Sequence, residues 1–313
     1  MIKTEKLSRR FGEFLAVDNL NLEVKEGEIF GFLGPNGAGK TTTIRMLCAL
    51  MEPSAGRAWV NGYEIGSDKS NDKVRASIGL LTEAPGLYEL LNAMDNMVFY
   101  AQLYGLSAQE ASIRAEETLR WLDLWPWRKE PVGTFSKGMK QKLAIGRALL
   151  HQPKVLFLDE PTSSLDAESS HTVREAIFSL KETGRTIFLS THNMDEANRL
   201  CDRIAIFKHR LLQLDTPLNL RRHFDIEDRR IIVRLRNQPP TVVQALRQLP
   251  FVKTVRWLEQ NESQEGYTLE VRVSDPEKQN PALVRKLVEL DAEVQYLEEN
   301  TPDLEEVYLA ITR

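Results

Sequence analysis

The sequence predicts an α/β domain over its first two-thirds and a small α+β domain after it. Three observations carry the prediction. Apolar-rich runs recur at 154–158, 185–190 and 203–207 between helix-compatible segments, as strands of a sheet covered on both faces require. A glycine-rich run at 34–42 follows another such stretch, Ile29-Phe30-Gly31-Phe32-Leu33. Beyond Thr216-Pro217 the pattern changes to period-two alternation with amphipathic helical segments between. The expected boundaries are 1–222 for the first domain, 223–229 for a linker and 230–313 for the second.

The first strand leads directly into Gly34-Pro35-Asn36-Gly37-Ala38-Gly39-Lys40-Thr41-Thr42, which fits G-x-x-x-x-G-K-[ST]. Glycines let backbone N–H groups turn inward and line an anion cradle that a Cβ would obstruct. Lys40 is spaced to reach the β- and γ-phosphates, and the Thr41 hydroxyl to ligate Mg²⁺. A helix from about Thr41 aims its N-terminal dipole at the same phosphates. A plain glycine-rich turn would give no reason for lysine and threonine at these two places. The run therefore predicts binding of a nucleoside triphosphate.

From about Leu91 to Arg128 the composition shifts to Ala, Leu, Glu and Gln, which reads as a helical insertion, placed at about 91–150. The next strand, Lys154-Val155-Leu156-Phe157-Leu158, ends in Asp159-Glu160. Asp159 at the strand end can hold Mg²⁺ through water, and Glu160 is placed to polarise an attacking water as general base. Arg185-Thr186-Ile187-Phe188-Leu189-Ser190 is followed by Thr191-His192. A lone histidine is an ordinary surface or core residue, but strand ends of open α/β folds share one ligand-binding rim. His192 is thereby a candidate for γ-phosphate contact.

The second domain opens after the charge-dense stretch 221–230. Ile231, Val233 and Leu235 share one strand face. Tyr267, Leu269, Val271 and Val273 share another, with Thr268, Glu270 and Arg272 opposite. One helix carries Val242, Val243, Leu246 and Leu249; a second carries Leu283, Val284, Leu287 and Val288, started by an Asn280 cap and Pro281. Val294 and Tyr296 mark a fourth strand, and Thr301-Pro302-Asp303 starts a last helix. The order βαββαβ suggests a ferredoxin-like module. It has no catalytic cluster and reads as regulatory or dimerising.

Bulk properties narrow the function classes. At 313 residues, 42% hydrophobic and 27% charged, the chain can bury a sizeable core as a soluble protein. A formal net charge of −4 argues against a general footprint for nucleic acid. No apolar run approaches the roughly 18 residues of a membrane span, and the N-terminal residues lack the apolar core of a signal peptide. Cys48 and Cys201 have no metal-like neighbours and read as reduced, structural thiols. Any membrane role would come through a partner.

Directly upstream of the Asp159 strand stands Phe135-Ser136-Lys137-Gly138-Met139-Lys140-Gln141. With it, the chain closely resembles the ATP-binding subunits of ABC transporters, over roughly Ile2 to Thr216. The resemblance implies ATP and Mg²⁺ as ligands and a P-loop ATPase domain with a helical subdomain. The segment from Phe135 is similar to the family's signature motif. In the family, this motif binds the γ-phosphate of ATP held by the opposite subunit, here through Ser136 and the Gly138 backbone. Phe11 occupies the place of the aromatic that stacks on adenine. Ser163-Ser164-Leu165-Asp166 resembles the loop that links the two sites of a dimer, although Asp166 can equally be a helix cap. Glu83 stands where many members carry a glutamine, and keeps an oxygen facing the metal. Lys137, Met139 with Lys140, Glu83 and the segment from Asp303 to Leu309 resemble the branch exporting drugs, lipids, polysaccharides or sodium. The resemblance implies a homodimer or heterodimer of ATPase subunits on a separate membrane permease, peripheral at the cytoplasmic face, with no direct nucleic-acid role. Two other readings remain open on these residues. One is a soluble ABC ATPase acting on nucleic acid or ribosome, and the other is a non-hydrolysing ATP-sensing subunit.

Overall fold

A long strand opens the chain: β1 (Ile2–Phe11) turns through Gly12 into β2 (Phe14–Val24). β3 (Ile29–Leu33) is buried at every position and leads through the glycine-rich loop into α1 (Lys40–Leu47). Then come β4 (Ala55–Val60), β5 (Tyr63–Glu64), α2 (Asp68–Ser77) and β6 (Ile78–Leu81). The helical block follows as α3 (Ala93–Leu103), α4 (Ala108–Trp121) and α5 (Lys137–Leu149). The chain continues through β7 (Val155–Asp159), α6 (Ala167–Lys181), β8 (Thr186–Thr191), α7 (Met194–Leu200), β9 (Arg203–Lys208) and β10 (Arg210–Asp215). The computed structural model describes residues 1–224, 229–258, 266–300 and 303–312, divided into two units, Met1–Pro217 and Leu218–Ile311.

The first unit holds two sheets. One is antiparallel, in the order β2-β1-β4-β5. The other runs β10-β9-β3-β8-β7-β6, parallel from β9 to β6 with β10 antiparallel at its edge. β8 lies between β3 and β7, so three adjacent parallel strands end on one rim. That rim is where ligands of open α/β sheets collect. Phe30, Phe32, Phe157, Phe188 and Phe207 are fully buried beneath it, with ring centroids 4.5 to 5.6 Å apart in successive pairs. Each such pair adds about 0.5–1.5 kcal/mol beyond its area burial, which makes the sheet a stiff base for the loops above it.

The helical block has its own core of Ala93, Met97, Ala101, Ala111, Ala115, Leu119 and Leu143. Alanines along α3 and α4 let the two helices approach closely. A capping box starts α4: the Ser107 side chain accepts from Glu110 N, and the Glu110 carboxylate accepts from Ser107 N.

After β10 comes α8 (Pro217–Phe224). The second unit contains β11 (Arg229–Leu235), α9 (Val242–Arg247), β12 (Val252–Trp257), β13 (Tyr267–Val273), α10 (Pro276–Glu289), β14 (Val294–Asn300) and α11 (Leu304–Thr312). Its antiparallel sheet has the order β12-β13-β11-β14, the arrangement of a ferredoxin-like βαββαβ unit. The charge-dense stretch is helical up to Phe224, a strand begins at Arg229, and 225–228 lie outside the described residues. The start of α10 differs from expectation. Asp275 caps it, accepting from Lys278 N at 3.4 Å, and Pro276 occupies the first turn, so Asn280 and Pro281 lie inside the helix. A proline is favoured at a first turn because its missing N–H is an orphan there; Pro276 meets that condition and Pro281 does not. Glu270, read as lying on the face opposite Leu269 and Val271, is buried, flanked by Arg256 at 3.2 Å and Arg272 at 3.3 Å. Burial pushes its carboxyl up, and the two guanidinium groups outweigh this and lower it. Thr301 and Pro302 lie outside the described residues, while the Asp303 carboxylate accepts from Glu306 N at 2.8 Å and so caps α11.

Candidate functional site

The site is built on the ends of β3, β8 and β7. After β3, Gly34 N donates to Thr191 O at 3.3 Å, which ties the start of the glycine-rich loop to the end of β8. Gly39 takes φ 100° where α1 begins, and a Cβ there would lie 2.3 Å from Ala16 O. Only glycine fits that approach. With no side chain at the N-cap, the first-turn amides of α1 have no side-chain acceptor and remain available to an anion.

Lys40 is nearly buried and strongly engaged. Its Nζ donates to Gly34 O at 2.6 Å and Pro35 O at 3.2 Å, and lies 3.0 Å from Glu160 Oε1. The other Glu160 oxygen, Oε2, lies 2.7 Å from His192 Nδ1. Lysine, glutamate and histidine thus form one chain across the ends of the three strands. Glu160 takes φ 53°, in the left-handed region, which a residue bearing a Cβ enters at a cost of about 1–2 kcal/mol. Its backbone is held there: Glu160 N donates to Ser190 O at 3.0 Å, and Glu160 O accepts from Ser163 N at 3.1 Å. Asp159 is buried behind this row, its Oδ1 accepting from the Ser190 hydroxyl.

These groups surround a cleft of about 420 Å³. Its lining includes the residues from Pro35 to Thr42, with Glu83, Glu160, His192 and Phe11. Gly34 and Asp159 stand behind the wall. The cleft also takes in Phe14 and Ala16, which sequence reasoning did not single out, and Ser163 from the segment that resembles the loop linking the two sites of a dimer. Phe14 is the more exposed of the two aromatics, 55% against 43% for Phe11, and Arg9 covers one face of the Phe11 ring at 4.7 Å. The aromatic pair flanking Gly12 was the available signal for Phe14.

The oxygen set of Thr41, Glu83 and Asp159 suits a hard divalent cation. Such a cation is held by few protein oxygens together with substrate phosphates. Among the described residues no group of three His, Cys, Asp or Glu side chains forms a dedicated cage. Thr41 and Glu83 line the cleft, and Asp159 is buried behind it.

Ser136, Gly138 and Asp166 do not line this cleft. Ser136 caps α5, accepting from Met139 N at 3.2 Å, and Asp166 caps α6, accepting from Ser169 N at 2.8 Å. The Ser169 amide, and then its hydroxyl, hold the Asp166 carboxyl below its usual range. A Cβ on Gly138 would stand 2.6 Å from Ser169 Oγ, so the first turns of α5 and α6 touch. Two positive helix ends lie side by side, each with its cap.

The family described as ABC transporter matches residues 17–163. The chain is 40% identical over 206 residues to the linearmycin resistance ATP-binding protein LnrL of Bacillus subtilis (strain 168), covering 66% of each chain. It is 34% identical over 310 residues to the Nod factor export ATP-binding protein I of Rhizobium sp. (strain N33), covering 98% of this chain and 95% of that one. Among solved structures it resembles a dimeric ATP-binding cassette in a post-hydrolysis state bound to ADP and Pi. The TM-score is 0.62 at 27% identity, over 69% of this chain and 98% of that one.

Proposed function

The chain belongs to the ABC transporter family of ATP-binding proteins, and from that premise we propose that it is the ATP-hydrolysing subunit of an export system, acting as a dimer on a separate membrane permease. One observation carries the reading: Lys40, Glu160 and His192 converge on one cleft, while Ser136 and Asp166 cap helices that do not line it. A second subunit, identical or homologous, supplies its Ser136 and Gly138 to complete the site. The relatives described as resistance and export proteins support an export direction. Among the described residues no helix is long and apolar enough to cross a membrane, and we assign the translocation path to a separate chain. We assign the ferredoxin-like unit a regulatory or dimer-contact role.

The chemistry follows from the groups on the rim. The α1 amides and Lys40 hold the phosphate tail, and Thr41, Glu83 and Asp159 would hold Mg²⁺, which offsets phosphate charge when bound. Phosphate oxygens compete with Glu160 for Lys40. Once they take the ammonium group, Oε1 is free to accept a proton from a water, while His192 keeps Oε2 in place. Catalysis is then positioning and charge stabilisation, as in other phosphoryl transfers.

Two measurements test the reading. A tagged chain purified from detergent-solubilised membranes of its native host should bring down a membrane protein with several spanning segments in stoichiometric amount; recovery with no membrane protein at all would sink the export assignment. Phe11 is assigned to adenine stacking. Phe11→Ala should raise the KM for ATP about two- to tenfold with kcat within about twofold, since one aromatic stack contributes roughly 0.5–1.5 kcal/mol. If Phe14→Ala alone gives that result, the adenine stacks on Phe14 instead.

A further inference from the structure

A buried carboxyl outside the cleft joins the two loops that carry Glu160 and His192. Glu196, in the first turn of α7, has no exposed surface. Its Oε1 accepts from the Thr162 hydroxyl at 2.8 Å, and Oε2 makes no hydrogen bond among the described residues. Thr162 is two residues after Glu160. Between them, Pro161 O accepts from Gln141 Nε2 at 2.7 Å, so the segment leaving Glu160 is gripped from two helices, α5 and α7. On the other side, Glu196 N donates to Asn193 Oδ1 at 3.0 Å and Asn193 N donates to Thr191 Oγ1 at 3.0 Å. His192 lies between those two residues.

This carboxyl is expensive in its place. Burial raises its pKa, the Thr191 and Thr162 hydroxyls oppose that in part, and the charge of Glu160 adds to it. A leucine or methionine would fill the same volume without that penalty. What the acid supplies beyond volume is its meeting with the Thr191 and Thr162 hydroxyls, and the hydrogen bond to Thr162 is the one that reaches the Glu160 loop. Glu160 in turn occupies a left-handed backbone conformation that persists only where the surroundings over-determine it.

We propose that Glu196 is a positioning residue for ATP hydrolysis: by holding Thr162 while anchored to the His192 loop, it sets Glu160 against His192. The proposal rests on the assignment of Glu160 as general base. The test is steady-state ATPase kinetics on the purified full-length chain as wild type, Glu196→Ala, Glu196→Gln, Thr162→Val and the Glu196→Ala/Thr162→Val double variant. Glu196→Ala should lower kcat about tenfold or more while the KM for ATP moves less than about twofold. Glu196→Gln keeps an oxygen acceptor for Thr162 and should stay within about threefold of wild type. Thr162→Val should lose kcat as Glu196→Ala does, and the double variant should be no slower than Glu196→Ala alone, because both break one link. Unchanged kcat in folded Glu196→Ala overturns the proposal. So does a Gln variant as slow as the Ala one, or multiplied losses in the double variant. If Glu196→Ala does not fold, Thr162→Val decides, since it keeps the side-chain shape. Absence of turnover in the wild type overturns the ATPase reading and this proposal with it; wild-type turnover matched by both single-link variants overturns this proposal alone.

Discussion

Glu160→Gln should lower ATP turnover by about 10²–10⁴, the usual contribution of a positioned general base, with ATP affinity retained. The amide keeps the shape of the side chain and can still meet His192, so the geometry of the rim survives while the proton acceptor is lost. Lys40 loses its ion pair with Oε1 in this variant and is more available to phosphate. The variant should therefore trap an ATP-bound dimer that wild type passes through briefly. Size-exclusion chromatography with ATP reads the dimer, and single-turnover hydrolysis reads the chemistry. Near-normal turnover would remove Glu160 from the role of base.

Lys40→Ala should act on binding, weakening ATP affinity by about 10²–10³. Its ammonium group is nearly buried, and losing one partner of a buried charge-assisted contact costs about 3–5 kcal/mol. The affinity loss falls short of the full cost because wild type gives up its Lys40–Glu160 contact when phosphate takes the ammonium group, whereas the variant has no such contact to give up. Calorimetric titration with ATP measures the affinity; an unchanged dissociation constant would contradict phosphate binding by the glycine-rich loop. The two variants thus separate on different axes, one losing turnover at full occupancy and the other losing occupancy.

The cleft was legible because its chemistry lies at strand ends in short, sequential motifs. Glycine spacing with Lys40 and Thr41, and Asp159-Glu160 at the end of an apolar run, state geometry in local terms. The adjacency of His192 to Glu160 needed the strand order, in which β8 separates β3 from β7. The first antiparallel sheet was not legible. Its β1 has register shifts between Thr4 and Leu7 and between Leu7 and Arg9, with Lys6 at φ 49°, which breaks the period-two signal. In β12 only Val255 is buried, so no alternation marks it. Pro281 drew the start of α10 too late because proline is strongly disfavoured inside helices, whereas Asp275-Pro276 provides another start with the same chemistry. Glu196 escaped notice as one acid in the polar stretch Asp195-Glu196, although its spacing of four from the buried Leu200 puts both on one helical face.

The contact of Gly138 with Ser169 fixes how the starts of α5 and α6 are spaced. Ser169 binds the Asp166 carboxylate through both its amide and its hydroxyl, and its side chain occupies the space that a Cβ on Gly138 would need. The caps of α5 and α6 are consequently parts of a single rigid tooth whose pitch is set by one missing methyl group. Rotating side chains cannot change the distance between the two helix starts; they shift only as one body.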